Sequence, residues 1–202
     1  MTVSFRPPKP QALLWVDFEG TGVTDTNDFS GIHILEACVI LTDFDLVPFG
    51  GYTAVITPTA EAIAALKENP GALDMHRTSG LLAALKGETE TLAELEQGVI
   101  KMIKRQSTFG EGEFMIAGSG VAMYDFPLIK QWMPALNKYL AYFPFDIGVE
   151  RRVSTILNGG RSVVPPNTAS YGDKKLHRSE ADVRAHLKEA EQYKDFFRSL
   201  KS

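Results

Sequence analysis

At 202 residues the chain is long enough for one sizeable domain, and its 44% hydrophobic and 23% charged residues exclude a disordered or collagen-like chain. A formal charge of −4 excludes binding to nucleic acid through a basic surface alone, so any phosphate the chain handles must meet positive charge from another source. The single cysteine, Cys38, excludes a disulfide framework and a thiolate metal site and suits a reducing, cytoplasmic compartment. No apolar run approaches the ~20 residues that cross a bilayer, and the first ten residues have prolines but no apolar stretch of the kind a signal peptide needs.

No repeat or linker-like shift divides the sequence, so one domain is expected over residues 11–202, after a proline-rich, extended lead-in at 1–10. Ala12 to Val16 is a continuous apolar run, as in a strand buried on both faces, and Asp17-Phe18-Glu19-Gly20-Thr21-Gly22 reads as its end passing into a loop. Ile32–Thr42 and Tyr52–Thr57 read as further strands, and their short connections predict an antiparallel meander. Helical signals follow: Thr57-Pro58 before Ala62, Ile63 and Leu66, then a capping box from Thr91 to Glu94 before Leu95, Val99 and Met102. Phe114 to Ala117 reads as a short strand, Asp125-Phe126-Pro127 as a helix start that Pro134 interrupts, and Val149–Val153 as another strand. Asn158–Asp173 is a long loop rich in Gly, Pro, Ser and Asn, and from Ser179 onward Val183, Leu187, Ala190, Phe197 and Leu200 mark one face of a helix. Strands first, then strands alternating with helices, predict an α/β fold with a mixed sheet flanked by helices.

Three acidic positions stand out. Asp17 and Glu19 are two apart at a strand end, so their carboxylates point the same way. Asp125 stands at the mouth of a helix after the Phe114 strand, and His177 precedes Asp182 by five residues around the start of the last predicted helix. Taken singly, each has an ordinary reading: polar residues leaving a strand, an N-cap, a charge in a first helical turn, a solvated loop histidine. His186 falls on the polar side of the same helix and reads as solvated.

Together they make a different case. Asp17-x-Glu19, Asp125 and His177-x-x-x-x-Asp182 resemble the three motifs of the DEDDh 3′–5′ exonucleases, which have a ribonuclease-H-like fold, and within them the oligoribonuclease family. Asp17-Phe18-Glu19-Gly20-Thr21-Gly22 is similar to that family's first motif, and Ile34-Leu35-Glu36-Ala37 with Leu41-Thr42-Asp43 to its second strand. Met75-His76-Arg77-Thr78-Ser79-Gly80-Leu81 resembles its substrate-side segment, Trp132-Met133-Pro134 follows Asp125 at its spacing, and Val153-Ser154-Thr155 fits the stretch after its fifth strand.

The resemblance implies a metal-dependent exoribonuclease acting on short single-stranded RNA, dimeric, with no membrane attachment. Phosphodiester hydrolysis needs an activated water and neutralised transition-state charge, which two divalent cations, Mg2+ or Mn2+, supply. Hard cations take carboxylate oxygens. By the resemblance, Asp17, Glu19, Asp125 and Asp182 hold them and His177 is the general base, imidazole having an ordinary pKa near 6.5. The cations also reconcile an acidic chain with an anionic substrate. Substrate-side positions implied in the same way are Gly20, Thr21, Val23 as an apolar wedge, His76 against the bases, Ser79, and Ser154 near a 5′ phosphate; Lys174, Lys175 and Arg178 flank His177, a charge cluster that reads as a solvated face or as a contact to backbone phosphates.

Two departures bear on substrate length. Gly71 stands where the family often has an aromatic, and Glu150-Arg151-Arg152 leaves the arginine for a 5′ phosphate unassigned. Two further readings share these residues: a DEDDh exonuclease acting on DNA or structured RNA 3′ ends, and a nucleic-acid-binding module without activity. No stretch reads a 2′-hydroxyl. Five intact motif residues speak against an inactive copy, since carboxylates crowded without a purpose only repel. No glycine-rich dinucleotide fingerprint supports an oxidoreductase.

Overall fold

Five strands form one mixed sheet in the order β3-β2-β1-β4-β5, with β1 (Ala12–Gly20) at its centre. The computed structural model describes residues 10–106, 109–164 and 177–200. β1, β2 (Ile34–Thr42) and β3 (Pro48–Val55) make the expected antiparallel meander. β4 (Phe114–Gly118) runs parallel to β1, and β5 (Phe145–Asp146) parallel to β4.

Alternation along β1 divides the core into two layers. Ala12, Leu14, Val16 and Phe18 face one layer, formed by α4 (Leu92–Arg105), α5 (Asp125–Trp132) and α6 (Pro134–Asn137), where Leu95, Val99, Leu128 and Leu136 are buried. Leu13 and Trp15 face the other, against Val183, Leu187, Ala190 and Tyr193 of α8 (Ser179–Ser199). Each fully buried side chain of this size contributes roughly 1.5–3 kcal/mol. Trp15 Nε1 donates to Thr42 Oγ1 at 3.0 Å, so the core holds no orphaned indole donor there. Asp17 and Glu19 continue the Leu13–Trp15 row, and the α8 face of β1 therefore changes from apolar to acidic at its C-terminal end.

The remaining helices among the described residues are α1 (Ala60–Glu68), α2 (Pro70–Thr78) and α3 (Leu81–Ala84), which pack on Leu35, and α7 (Ile147–Leu157) after β5. α4 opens on the predicted capping box: Thr91 N donates to Glu94 Oε2 at 2.7 Å and Glu94 N to Thr91 Oγ1 at 3.2 Å.

Four expectations change. β1 does not end at Val16: Glu19 pairs with Glu36 and Gly20 with Ile34, so both carboxylates stand within the ladder. The strand expected at Val149–Val153 lies inside α7, because Asp146 Oδ1 accepts from Gly148 N at 2.9 Å and Val149 N at 3.2 Å and starts a helix there. The β-branched Val149 and Val153 mimic a strand over five residues; extended to Ile156 and Leu157 the spacing is helical. Ile63 is exposed on α1, and Phe197 and Leu200 are exposed at the end of α8, whose buried row closes with Tyr193. Residues 1–9 of the lead-in, residues 165–173 of the long loop, and Lys174 and Lys175 lie outside the described residues.

Candidate active site

β1 and β4 run parallel as far as the Trp15–Ala117 pair, and the candidate catalytic side chains gather past that pair, at the C-terminal half of β1, where parallel strands open a crevice. Strand alternation puts Asp17 and Glu19 on the face toward α8, whose first turn supplies Asp182, with His177 two residues ahead of the helix. All four line one cavity of about 370 Å³. One donor atom each from Glu19, His177 and Asp182 lies within 4.8 Å of the other two, close enough to share a metal ion.

Asp125 joins them from behind. Phe18 is buried with Leu14 and Val16 in the other core layer, and its backbone N–H donates to Asp125 Oδ1 at 2.9 Å, tying the first turn of α5 to β1 between the two catalytic candidates on that strand. Asp125 is therefore no simple N-cap; Tyr124 holds that position. Burial, and next the charge of Asp17, push the Asp125 carboxyl well above the usual carboxylate range. A group of carboxylates packed this closely is a site in want of positive charge, and its hard oxygen donors fit Mg2+ or Mn2+.

His177 is held in place through its neighbour. Arg178 Nε donates to Glu36 Oε1 and Oε2 at 2.9 and 3.0 Å, and Ser179 N donates to Glu36 Oε2 at 3.0 Å. Glu36 is the cross-strand partner of Glu19, and two carboxylates directly opposed repel. Arg178 neutralises one of them, and its own pKa is raised by the hydrogen bonds to Glu36. Arg178 thus sets the start of α8 on the sheet, a role that differs from the phosphate contact expected of it.

The substrate-side expectations divide. Val23 stands at the mouth of the cavity, 80% exposed, and also borders a second, apolar cavity of about 270 Å³. Gly20 and Gly71 line that second cavity with Met75 and Tyr124. A Cβ at Gly20 would fall 2.3 Å from Tyr124 Oη, which itself donates to Gly22 O at 2.9 Å, so only glycine fits there. At Gly71 a Cβ would meet nothing nearer than Asn69 Oδ1 at 3.5 Å, so the absent side chain leaves room.

His76 is not at the substrate surface. It is fully buried, its Nε2 donates to Gly20 O at 2.8 Å, and its Nδ1 lies 3.8 Å from Glu19 Oε2, beneath the acidic wall. Thr21 is buried with its Oγ1 accepting from His33 N at 3.1 Å, and Ser79 caps α2 and lines neither cavity. Ser154 sits in the middle of α7, its Oγ 3.0 Å from Tyr193 Oη; the residues that follow the fifth strand are Ile147-Gly148-Val149.

Three residues enter the cavity that the sequence did not mark as candidates, Ser119, Tyr124 and His186, and of the two arginines left open for a 5′ phosphate, Arg151 is the one that lines it. Ser119 follows β4 and Tyr124 precedes Asp125, so position at a strand end or beside a motif residue was a usable signal. His186 is one turn beyond Asp182 on α8, and the polar side of the helix there faces the cavity, not bulk solvent.

No family model matches the chain. It is similar to the oligoribonuclease of Corynebacterium diphtheriae, with 31% identity over 189 residues, 93% of this chain and 83% of the relative. The oligoribonuclease of Rhodococcus jostii is 32% identical over 184 residues, 90% of this chain and 85% of the relative. Among solved structures, exonuclease I from Methylocaldum szegediense superposes with a TM-score of 0.62 at 18% identity, over 92% of this chain and 40% of that one. The expected ribonuclease-H-like sheet is therefore the architecture found, and this chain spans well under half the length of exonuclease I.

Proposed function

The chain belongs to the oligoribonuclease family, and from that premise we propose that it is a metal-dependent 3′–5′ exoribonuclease releasing nucleoside monophosphates from short single-stranded RNA. The observation that carries this reading is the meeting of Asp17, Glu19, His177 and Asp182 on one cavity wall, with Asp125 hydrogen-bonded behind it.

In this reading Asp17, Glu19, Asp125 and Asp182 hold two divalent cations, Mg2+ or Mn2+. When bound, these acidify a water and neutralise charge on the scissile phosphate and the leaving oxygen. His177 takes the proton of the attacking water on a ring nitrogen, a role supported by its place within 4.8 Å of the carboxylate oxygens of Glu19 and Asp182. Val23 at the cavity mouth wedges against the 3′-terminal base, which the adjoining apolar cavity, floored by Met75, receives. His76, bonded to Gly20 O and next to Glu19, sets the end of β1 instead of touching the base. A homodimer belongs to the same reading, and the exposed row Val149, Val153, Ile156 and Leu157 of α7 is an apolar face suited to it. Sedimentation of micromolar protein is expected to show a species of twice the chain mass; a single-chain species alone rejects the dimer.

Incubation with Mn2+ and end-labelled RNA and DNA of two, four and seven nucleotides tests the activity. Stepwise loss of 3′ nucleotides from RNA, faster than from DNA, is expected; DNA cleaved faster moves the protein to the DNA-directed reading, and no cleavage of either rejects the enzyme. An aromatic under the terminal base contributes about 1–3 kcal/mol per base, and Gly71 offers none. The preference for a dinucleotide over a heptanucleotide is therefore expected to stay below about a hundredfold in kcat/KM, roughly 2.7 kcal/mol. A larger preference shows that another group closes the site around two nucleotides.

A further inference from the structure

The acidic and the apolar cavity meet at the end of β1, and Phe18, Glu19, Val23 and Tyr124 line both. Of these, Tyr124 is the one that comes from a distant segment. Its hydroxyl donates to Gly22 O at 2.9 Å, and its ring meets that of Phe29 edge-on, with centroids 6.4 Å apart. The next residue, Asp125, accepts from Phe18 N at 2.9 Å. Consecutive residues at the start of α5 therefore hold β1 at Phe18, between the acids, and the loop after it at Gly22, beside Val23.

The loop is shaped to accept that hold. A Cβ at Gly20 would fall 2.3 Å from Tyr124 Oη and 3.2 Å from His33 O, and a Cβ at Gly22 would fall 2.3 Å from Asn69 Nδ2. Side chains are thus excluded at both positions, where the backbone is approached closely from two elements. Asn69 is itself fixed, its Oδ1 accepting from Ala72 N at 3.1 Å at the start of α2. Between the two glycines, Thr21 N donates to His33 O at 2.9 Å. Val23 follows directly. At 80% exposed it has little packing of its own, and the backbone on which it stands sets its direction.

We propose that Tyr124 is a positioning residue for the 3′-terminal base: by holding Gly22 O it fixes the Val23 wedge at a set distance from the carboxylates of the acidic cavity. The inference rests on the exoribonuclease reading above and adds to it the residue that couples the base site to the site of chemistry. A wedge free to swing accepts the base in several registers, and one of them alone puts the scissile phosphate against the carboxylates. Gly71 supplies no side chain on the other wall of the apolar cavity, so the register depends on the Val23 side. Tyr124 acts through Val23, and the hydroxyl is the part that matters. A ring that only filled space would serve as well in phenylalanine.

The test compares two ribotrinucleotides, one natural and one whose 3′-terminal ribose carries hydrogen in place of the base. First-cut kcat/KM with Mn2+ is measured on both for wild-type protein and for Tyr124→Phe. Wild-type protein is expected to favour the natural substrate by at least about tenfold, within the usual worth of a stacked base. In Tyr124→Phe the ratio is expected to fall below about threefold, through slower cutting of the natural substrate. Each ratio is taken on one protein, so a smaller folded fraction in the variant cancels. Gly20→Ala, whose Cβ displaces the hydroxyl, is expected to lower the ratio in the same way, and adding Tyr124→Phe to it to lower it no further. An undiminished ratio in Tyr124→Phe overturns the proposal. A wild-type protein that cuts both substrates equally removes the Val23 wedge, and the proposal with it. A wild-type protein that cuts neither rejects the exoribonuclease reading itself.

Discussion

Glu19→Gln and Asp182→Asn are each expected to lower turnover on a short RNA by about 10²–10⁴-fold, because several kcal/mol of transition-state charge stabilisation would pass through the cations these residues are proposed to hold. Both groups are buried, both line the cavity, and one oxygen of each lies within 4.8 Å of the other and of a His177 ring nitrogen. The amides keep the shape and one oxygen but remove the charge. The same variants report on binding without any turnover. Cations bound only by the folded state stabilise it by about 2.7 kcal/mol at a hundred times Kd, which for a chain of this size raises Tm by roughly 5–10 °C. Wild-type protein is expected to show that rise with Mn2+, and each variant to lose most of it. Asp125 adds a pH signature. Burial and the charge of Asp17 push its carboxyl up, so the metal-free fold retains a proton that the unfolded chain has already released. Its contribution is present below the ordinary carboxylate pKa and is lost as pH rises through the raised value, so metal-free stability falls with rising pH across that window. Cations take the place of the proton, and the Mn2+-induced rise in Tm should be larger at pH 8 than at pH 5. A Tm unmoved by millimolar metal at both pH values removes the basis of the site.

The features legible in the sequence were those a local period encodes. Asp17 and Glu19 share a face because a strand has period two, and α4 begins where a capping box says it should. Asp125 was visible as an acid between a short strand and a helix, although its bond to Phe18 N was not. What escaped were relations between segments far apart in the chain. Ser119, Arg151 and His186 meet in one cavity from three elements, and no window of sequence contains them all. His186 looked solvated because a helical wheel shows which side is polar without showing what that side faces. Val153-Ser154-Thr155 resembles the stretch after the family's fifth strand, but the cap that Asp146 forms one turn earlier decides for a helix and moves Ser154 onto Tyr193. Arg178 was read as a phosphate ligand from its place beside His177, whereas the repulsion between Glu19 and Glu36 across the β1–β2 ladder gives it a partner inside the fold.

His177→Ala is expected to lower kcat by about 10²–10⁴-fold, the usual worth of a positioned proton acceptor, while leaving the Mn2+-induced rise in Tm largely intact. The second half of that statement separates a base from a ligand. The imidazole lies close enough to Glu19 and Asp182 to join them around a cation, so geometry alone admits both roles. A ligand lost to alanine takes metal stabilisation with it; a base lost to alanine does not. Its backbone should stay where it is, because Arg178 and Ser179 N remain fastened to Glu36 and α8 still starts from the same point on the sheet. The cavity left by the ring then opens directly beside the attacking water, and imidazole added to the solution is expected to restore part of the lost rate. Turnover near that of wild type at pH 7 would falsify the base assignment. Loss of the metal-induced stabilisation, with no rescue by imidazole, would instead place His177 among the ligands and leave the proton to another acceptor on the same wall, of which His186, one turn of α8 beyond Asp182, is the nearest in kind.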